Sequence, residues 1–258
     1  MMYFLKKKWK ALLAAAAALL VMACQHPQIR RPTVLFDQGH GQRFLIERNE
    51  TLDLARFAGL FADQGLSVRS TNQKLTPEVL AGTKVLIISG PFGVFSPEEI
   101  ETILGFVEDG GRLSVMLHIG PSVADLLKRL GVAFSNGVIK EQVNLIADQP
   151  LDFYVSDLSS HPLTKDLEHF SVHGAWALIN ITEDGQVLAR TSPHAWIDLN
   201  MDGKISKGDV MQSLGVMVAG TRGKGRFVVF GDDAIFQNRF FTDENIRLAE
   251  NLIKWLGE

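Results

Sequence analysis

The dodecapeptide DLNMDGKISKGD, residues 198–209, sets oxygen-bearing side chains at alternate positions. Asp198, Asn200 and Asp202 stand at positions 1, 3 and 5 of a twelve-residue loop, with Gly203 at 6, Ser206 at 9 and Asp209 at 12. Side chains so spaced converge on a hard cation. The glycine permits the sharp turn and Lys204 at position 7 offers its backbone carbonyl, so the pattern is that of an EF-hand-type calcium loop with a structural role. Two features differ from the full motif: the closing Asp209 reaches less far than a glutamate, and Pro193 and Trp196 stand where a preceding helix would begin. The competing reading is an acidic turn between two strands. Ile205, at position 8, is expected to fasten the loop to the fold.

A second set of reactive groups follows two apolar runs. Asp37 and His40 lie in FDQGHGQ, and Asp232, Asp233 and Asn238 in FGDDAIFQN. Brought to one sheet edge, these groups would bind sugar hydroxyls or a cation. Alternatively, Asp37 and Asp232 cap adjacent loops and tie neighbouring strand ends together. His118 at a strand end reads as structural. His161, His173 and Trp176 have spacings that match no common metal set. Ser122 lacks the flanking glycines of a nucleophile elbow and is explained as a helix cap.

Cys24 is the only cysteine. Ahead of it lie Lys6, Lys7, Lys8 and Lys10, then an apolar stretch from Ala11 to Met22 that is short for a membrane span. With Val21, Met22 and Ala23 directly before the cysteine, the segment resembles a bacterial lipobox, in which cleavage precedes the cysteine and its thiol is acylated. A plain secretory signal or N-terminal anchor with a chance cysteine is the competing reading. The lipobox reading gives residues 1–23 as signal peptide, 24–31 as tether and 32–258 as the folded domain. It makes the lipid bilayer a partner, since two acyl chains suffice for stable anchoring. Gln25 in place of aspartate points to the periplasmic face of the outer membrane in a Gram-negative envelope. Cleavage would take the formal charge from −3 to −7, because four lysines and no acid are lost. Such a chain is ill suited to nucleic acid. A lipidated Cys24 would leave no thiol for a disulfide, zinc site or nucleophile, so the fold must rest on its hydrophobic core.

The elements that must position these groups alternate in type. Strands are expected at 33–36, 66–69, 84–88, 112–117, 215–219 and 225–230, and helices at 51–64, 96–109, 122–130 and 242–256. Ser96, Pro97 and Glu99 form a helix start in which the glutamate reaches back to the cap. Near-continuous apolar strands between amphipathic helices imply a flavodoxin-like α/β fold: a mostly parallel sheet, helices on both faces, and a β-rich insertion over 132–192. The runs at 215–219 and 225–230 are expected to resume the parallel pattern. In such sheets ligands bind beyond the carboxyl ends of the strands, where Asp37, His40, Asp232 and Asp233 fall.

The segment VLIISGPFGVFSPEEIETILGFVEDGGRLSVML, with FDQGHGQ, HPLTKDLEHFSVHGAWAL, GKGRFVVFGDDAIFQN and ENLIKWL, resembles the class I glutamine-amidotransferase-like superfamily. It is most similar to non-catalytic branches, including trehalose-utilisation-type domains and auxiliary domains of gliding-motility-type transporters. The resemblance covers nearly all of the chain after the tether. It implies a cysteine nucleophile after a central strand, and the corresponding elbow, Leu117-His118-Ile119-Gly120, holds none. Two functions follow as expectations. One is a non-catalytic binding or scaffold lipoprotein serving an envelope transporter or surface protein. The other is a sugar-modifying or metal-assisted hydrolase working through the carboxylates of the sheet edge.

Overall fold

A computed structural model describes residues 32–118 and 120–258; the leader, Cys24 and the tether lie outside the described residues. Along the central strands, consecutive apolar side chains point to opposite faces. Val34, Phe36, Val85 and Ile87 enter one core and Leu35, Leu86, Ile88 and Val115 the other. That alternation is why these strands are apolar on both sides through most of their length: both faces of the sheet are covered by helices.

The strands in chain order are β1 (Thr33–Asp37), β2 (Ser67–Thr71), β3 (Thr83–Ser89), β4 (Arg112–Met116), β5 (Val132–Lys140), β6 (Leu145–Ile146), β7 (Gln149–Val155) and β8 (Asp157–Leu158). They continue with β9 (Phe170–His173), β10 (Trp176–Asn180), β11 (Gly185–Arg190), β12 (Trp196–Ile197), β13 (Val210–Met211), β14 (Gly215–Arg222) and β15 (Gly225–Phe230). The helices are α1 (Ala55–Asp63), α2 (Pro77–Leu80), α3 (Pro97–Glu108), α4 (Ala124–Arg129) and α5 (Asp243–Gly257). Helices α1 and α5 cover one face through Phe57, Phe61, Leu248 and Leu252. Helices α3 and α4 cover the other through Ile103, Val107, Leu126 and Leu127.

The parallel part of the sheet runs β2-β1-β3-β4-β15. This is the flavodoxin-like order, and its topological switch point lies between β1 and β3. Beyond β15 the sheet continues through β14, β10, β5, β12 and β13, with β11 and β8 branching from β14. A separate three-stranded sheet is formed by β6, β7 and β9. The α/β class, the two covered faces and the β-rich insertion are therefore as the sequence implied.

Four local expectations need correction. β14 does not resume the parallel pattern: it pairs antiparallel with β15, from Met217–Phe230 to Arg222–Gly225. Only Gly223 and Lys224 separate the two strands, and a two-residue connection can join antiparallel strands but never parallel ones. Helix α1 begins at Ala55 rather than 51, because Asp53 is held outside it by Leu45 N–H at 2.9 Å and the Arg48 guanidinium at 2.8 Å. Ser122 does not cap α4; its hydroxyl donates to the Pro91 carbonyl at 2.6 Å. Ile205 fastens nothing, standing 44% exposed on its loop.

Candidate functional site

β1 ends on Asp37, and the chain turns at once so that His40 and Gln42 fold back over its carboxylate. Gly39 N–H donates to Asp37 Oδ1 at 3.1 Å, His40 Nδ1 lies 2.8 Å from Oδ2, and Gln42 Nε2 donates to Oδ2 at 2.6 Å. The other imidazole nitrogen, Nε2, lies 3.1 Å from Glu99 Oε1. Glu99 arrives there because it is the third residue of α3. Its Oε2 accepts Ser96 N–H at 3.0 Å while Ser96 Oγ accepts Glu99 N–H, completing the expected capping box. Oε1 also accepts Leu75 N–H at 3.0 Å. The His40 ring stacks on Phe95 at 3.8 Å, and its carbonyl accepts Phe92 and Gly93 N–H.

All four polar side chains are buried. Burial opposes a charge on His40, but Asp37 and Glu99 on its two sides outweigh it and raise its pKa above the ordinary value. Burial likewise opposes the Glu99 charge, yet the Ser96 and Leu75 amides and His40 hold its pKa below the usual carboxylate range. A histidine clamped between two carboxylates, which favour its charged form, thus occupies the carboxyl end of β1 beside the switch point.

A second pair lies at the ends of β4 and β15. His118 follows β4, and its Nδ1 is 3.0 Å from Asp233 Oδ1. Asp233 is buried while His118 is 37% exposed. Among the described residues Asp233 Oδ2 has no hydrogen-bond partner. It lies so near Gly90, at the end of β3, that a β-carbon there would come within 2.1 Å of it. The Asp233 contact raises the His118 pKa, outweighing burial. Burial pushes Asp233 itself up, with His118 opposing. Asp232 accepts His173 N–H at 2.6 Å and Ala234 N–H at 2.8 Å, and burial beside Asp233 pushes its pKa to about 7.

The predicted edge residues therefore separate. Asp37 and His40 form one cluster, and Asp232 and Asp233 belong to another. Asn238 joins neither: its Oδ1 accepts Arg56 N–H at 3.0 Å and its Nδ2 donates to the Glu50 carbonyl at 2.7 Å, tying a loop to the first turn of α1. The tying role expected for Asp37 and Asp232 is visible in both. Sequence reasoning passed over Gln42, took Glu99 only as a cap and took His118 as structural. The signal for His118 was its place directly after a central strand.

The acidic loop joins β12 to β13, which pair antiparallel. Asp198, Asp202 and Asp209 each offer a carboxylate oxygen within 4.8 Å of the others. Asn200 Nδ2 donates to Ser206 Oγ at 2.8 Å, and Lys204 N–H donates to Asp202 Oδ1 at 3.1 Å. Lys140 of β5 reaches Asp198 Oδ2 at 2.9 Å, holding that carboxylate below its usual range. Three converging carboxylates fit a hard cation, with Lys140 a competitor for one of them. His161 is spent locally, its Nδ1 accepting Leu163 N–H at 3.1 Å. Trp176 donates from Nε1 to the His118 carbonyl at 3.1 Å.

Comparison with known proteins places this geometry. The chain is 23% identical over 211 residues to the mouse protein named intraflagellar transport protein 52 homolog, a match covering 73% of this chain and 48% of that one. It thus spans about half the length of that curated relative. Among solved structures, the mmIFT52 N-terminal domain superposes with a TM-score of 0.70 at 17% identity, covering 87% of this chain and 97% of that one. A ThuA-like protein from Bacteroides uniformis superposes with a TM-score of 0.55, again at 17% identity, covering 88% and 91%. These likenesses establish the fold, which fits the class I glutamine-amidotransferase-like group loosely. The model of one family, described as a domain of unknown function, DUF4350, matches residues 54–253, and the chain belongs to that family.

Proposed function

We propose that this chain is a non-catalytic binding or scaffold module of a bacterial cell envelope. Cys24 would hold it to the membrane by acylation, and an envelope transporter or surface protein would be its partner. The observation that carries this reading is the cluster at the switch point. In doubly wound sheets that crevice receives the ligand. Here the buried Asp37, His40, Gln42 and Glu99 turn their polar groups on one another and on backbone amides. A hydrolase using Asp37, His40, Asp232 and Asp233 gains less support, since all four groups are buried and already hydrogen-bonded inside the fold, in two separate clusters.

The domain also recurs as a part of something larger: the solved relative is an N-terminal domain, and the curated relative is named for transport. A domain that recurs in a longer chain is suited to joining other proteins. Calcium, held by Asp198, Asn200, Asp202, the Lys204 carbonyl, Ser206 and Asp209, would brace the β12–β13 connection without taking part in chemistry. The test is cross-linking of the full chain in envelope membranes followed by native gels. A discrete membrane-protein complex of fixed composition is expected. An uncomplexed chain whose purified form turns over nitrophenyl glycosides would overturn the reading.

A further inference from the structure

His118 and the loop after β1 place two cationic groups on one aromatic ring. The Arg43 guanidinium lies 4.4 Å from the Phe92 ring centroid, and the His118 ring lies 5.0 Å from that same ring. Phe44 meets His118 edge-on at 5.4 Å. Among the described residues, Arg43 has no carboxylate partner and His118 Nε2 no hydrogen bond. The imidazole is nonetheless fixed: Asp233 holds Nδ1 from below, and the backbone carbonyl is held by Trp176. A fixed, partly exposed imidazole with an open nitrogen differs sharply from His40, both of whose nitrogens face carboxylates.

We propose that Arg43, His118 and Phe92 form an oxyanion-binding site at the carboxyl ends of β3 and β4, taking a carboxylate or phosphate group. The proposal rests on the binding-module reading and names the chemistry of its ligand. Arg43 offers paired N–H donors suited to either oxyanion. His118 adds a donor at Nε2 when protonated, because Asp233 takes the Nδ1 proton in both charge states. Phe44 and Phe92 would keep water from one side of the contact, strengthening both.

Charge around the site is consistent with this role. The groups acting on His118 are Asp233 and Asp232, which favour its protonated form, and Arg43, which opposes it. Asp233 is neutralised by His118 when the ring is charged. That leaves Arg43 as the uncompensated cation, with Asp232 largely protonated below its raised pKa of about 7. Because Nε2 donates only from the imidazolium, the site should weaken as pH rises through the His118 pKa.

The test is titration of the full chain with sulfate, whose charge is constant across neutral pH, read by the His118 ring resonances at fixed ionic strength. Saturable shifts are expected, with affinity severalfold lower at pH 8 than at pH 6, because only the imidazolium offers a donor at Nε2. Arg43→Gln, at an exposed position, should weaken binding about tenfold with an unchanged melt. Acetate and inorganic phosphate, run as competitors, distinguish a planar carboxylate from a tetrahedral phosphate as the ligand group. Shifts matched by chloride, or unaltered in Arg43→Gln, would overturn the proposal. Neither result bears on the cross-linking test, so the site and the module reading fail separately.

Discussion

Replacing Asp37 by asparagine tests whether the switch-point cluster is a part of the fold or a site. Every neighbour of the Asp37 carboxylate is a donor: Gly39 N–H, Gln42 Nε2 and the His40 ring. Whichever way an asparagine is turned, its NH₂ group faces one of them, so at least one buried donor loses its acceptor. Leaving such a group unpaired costs about 1–3 kcal/mol. The substitution also removes one of the two carboxylates that hold His40 charged, and breaking a buried ion pair costs about 3–5 kcal/mol. We expect Asp37→Asn to lose about 3–5 kcal/mol in urea unfolding, a fall of roughly 10 °C or more in Tm. The exposed control Asp63→Asn should stay within about 0.5 kcal/mol of the parent. The pH dependence gives a second readout. His40 has a folded pKa above the unfolded value, so its contribution is complete below about 6.5 and is lost as pH rises through the folded value. The gap between parent and variant should therefore narrow on the alkaline side. A loss under about 1 kcal/mol, or a gap that ignores pH, would refute the idea that this cluster holds the sheet edge together.

Three further outcomes are expected. Labelled fatty acid should enter the parent chain and not Cys24→Ser; a labelled variant would end the lipid-anchor reading. Chelation should lower the melting temperature and calcium restore it, by about 2.7 kcal/mol at a hundredfold excess over Kd, and Asp198→Ala should abolish the response while keeping the fold. Calorimetry without heat, or a melt indifferent to chelator, leaves 198–209 an acidic turn. Gly90→Ala should cost about 1–3 kcal/mol and displace the His118 resonances, because the new β-carbon would meet buried Asp233 Oδ2 and the backbone there has φ of +55°; an unshifted spectrum would contradict the close approach.

What could be read from the chain depended on how far apart the interacting residues lie. The capping box of α3 was legible because Ser96 and Glu99 are three positions apart, and the covered sheet because β1, β3 and β15 have unbroken apolar runs at their centres. Glu99 also reaches His40, 59 positions away, and His118 pairs with Asp233 across 115. No local spacing encodes those contacts; only the strand order does, by setting β1 beside β3 and β4 beside β15. The β14 error was of another kind. Its signal, a five-residue connection (220–224) between two apolar runs and so too short for a parallel crossover, was present in the sequence, but burial on both faces gave β14 the composition of a parallel strand. Ile205 was misjudged because the motif supplies an apolar residue at that position whether or not a neighbour exists to receive it.

The two histidines of the carboxyl edge show how one architecture closes a site and leaves another open. Both follow central strands, both sit beside aspartates, and both have raised pKa values. What separates them is the second imidazole nitrogen. For His40 it meets Glu99, delivered by the first turn of α3, so the ring is spent on joining β1 to that helix. For His118 the segment after β4 opens into a short 3-10 turn at Gly120–Val123, and α4 begins only at Ala124. Among the described residues no helical carboxylate is delivered to Nε2, and the ring packs against Phe44 and Phe92 instead. In a sheet whose switch-point crevice is occupied by an internal charge cluster, the proposed oxyanion site lies one strand along, at the end of β4. There a single, partly exposed histidine is oriented by the buried Asp233.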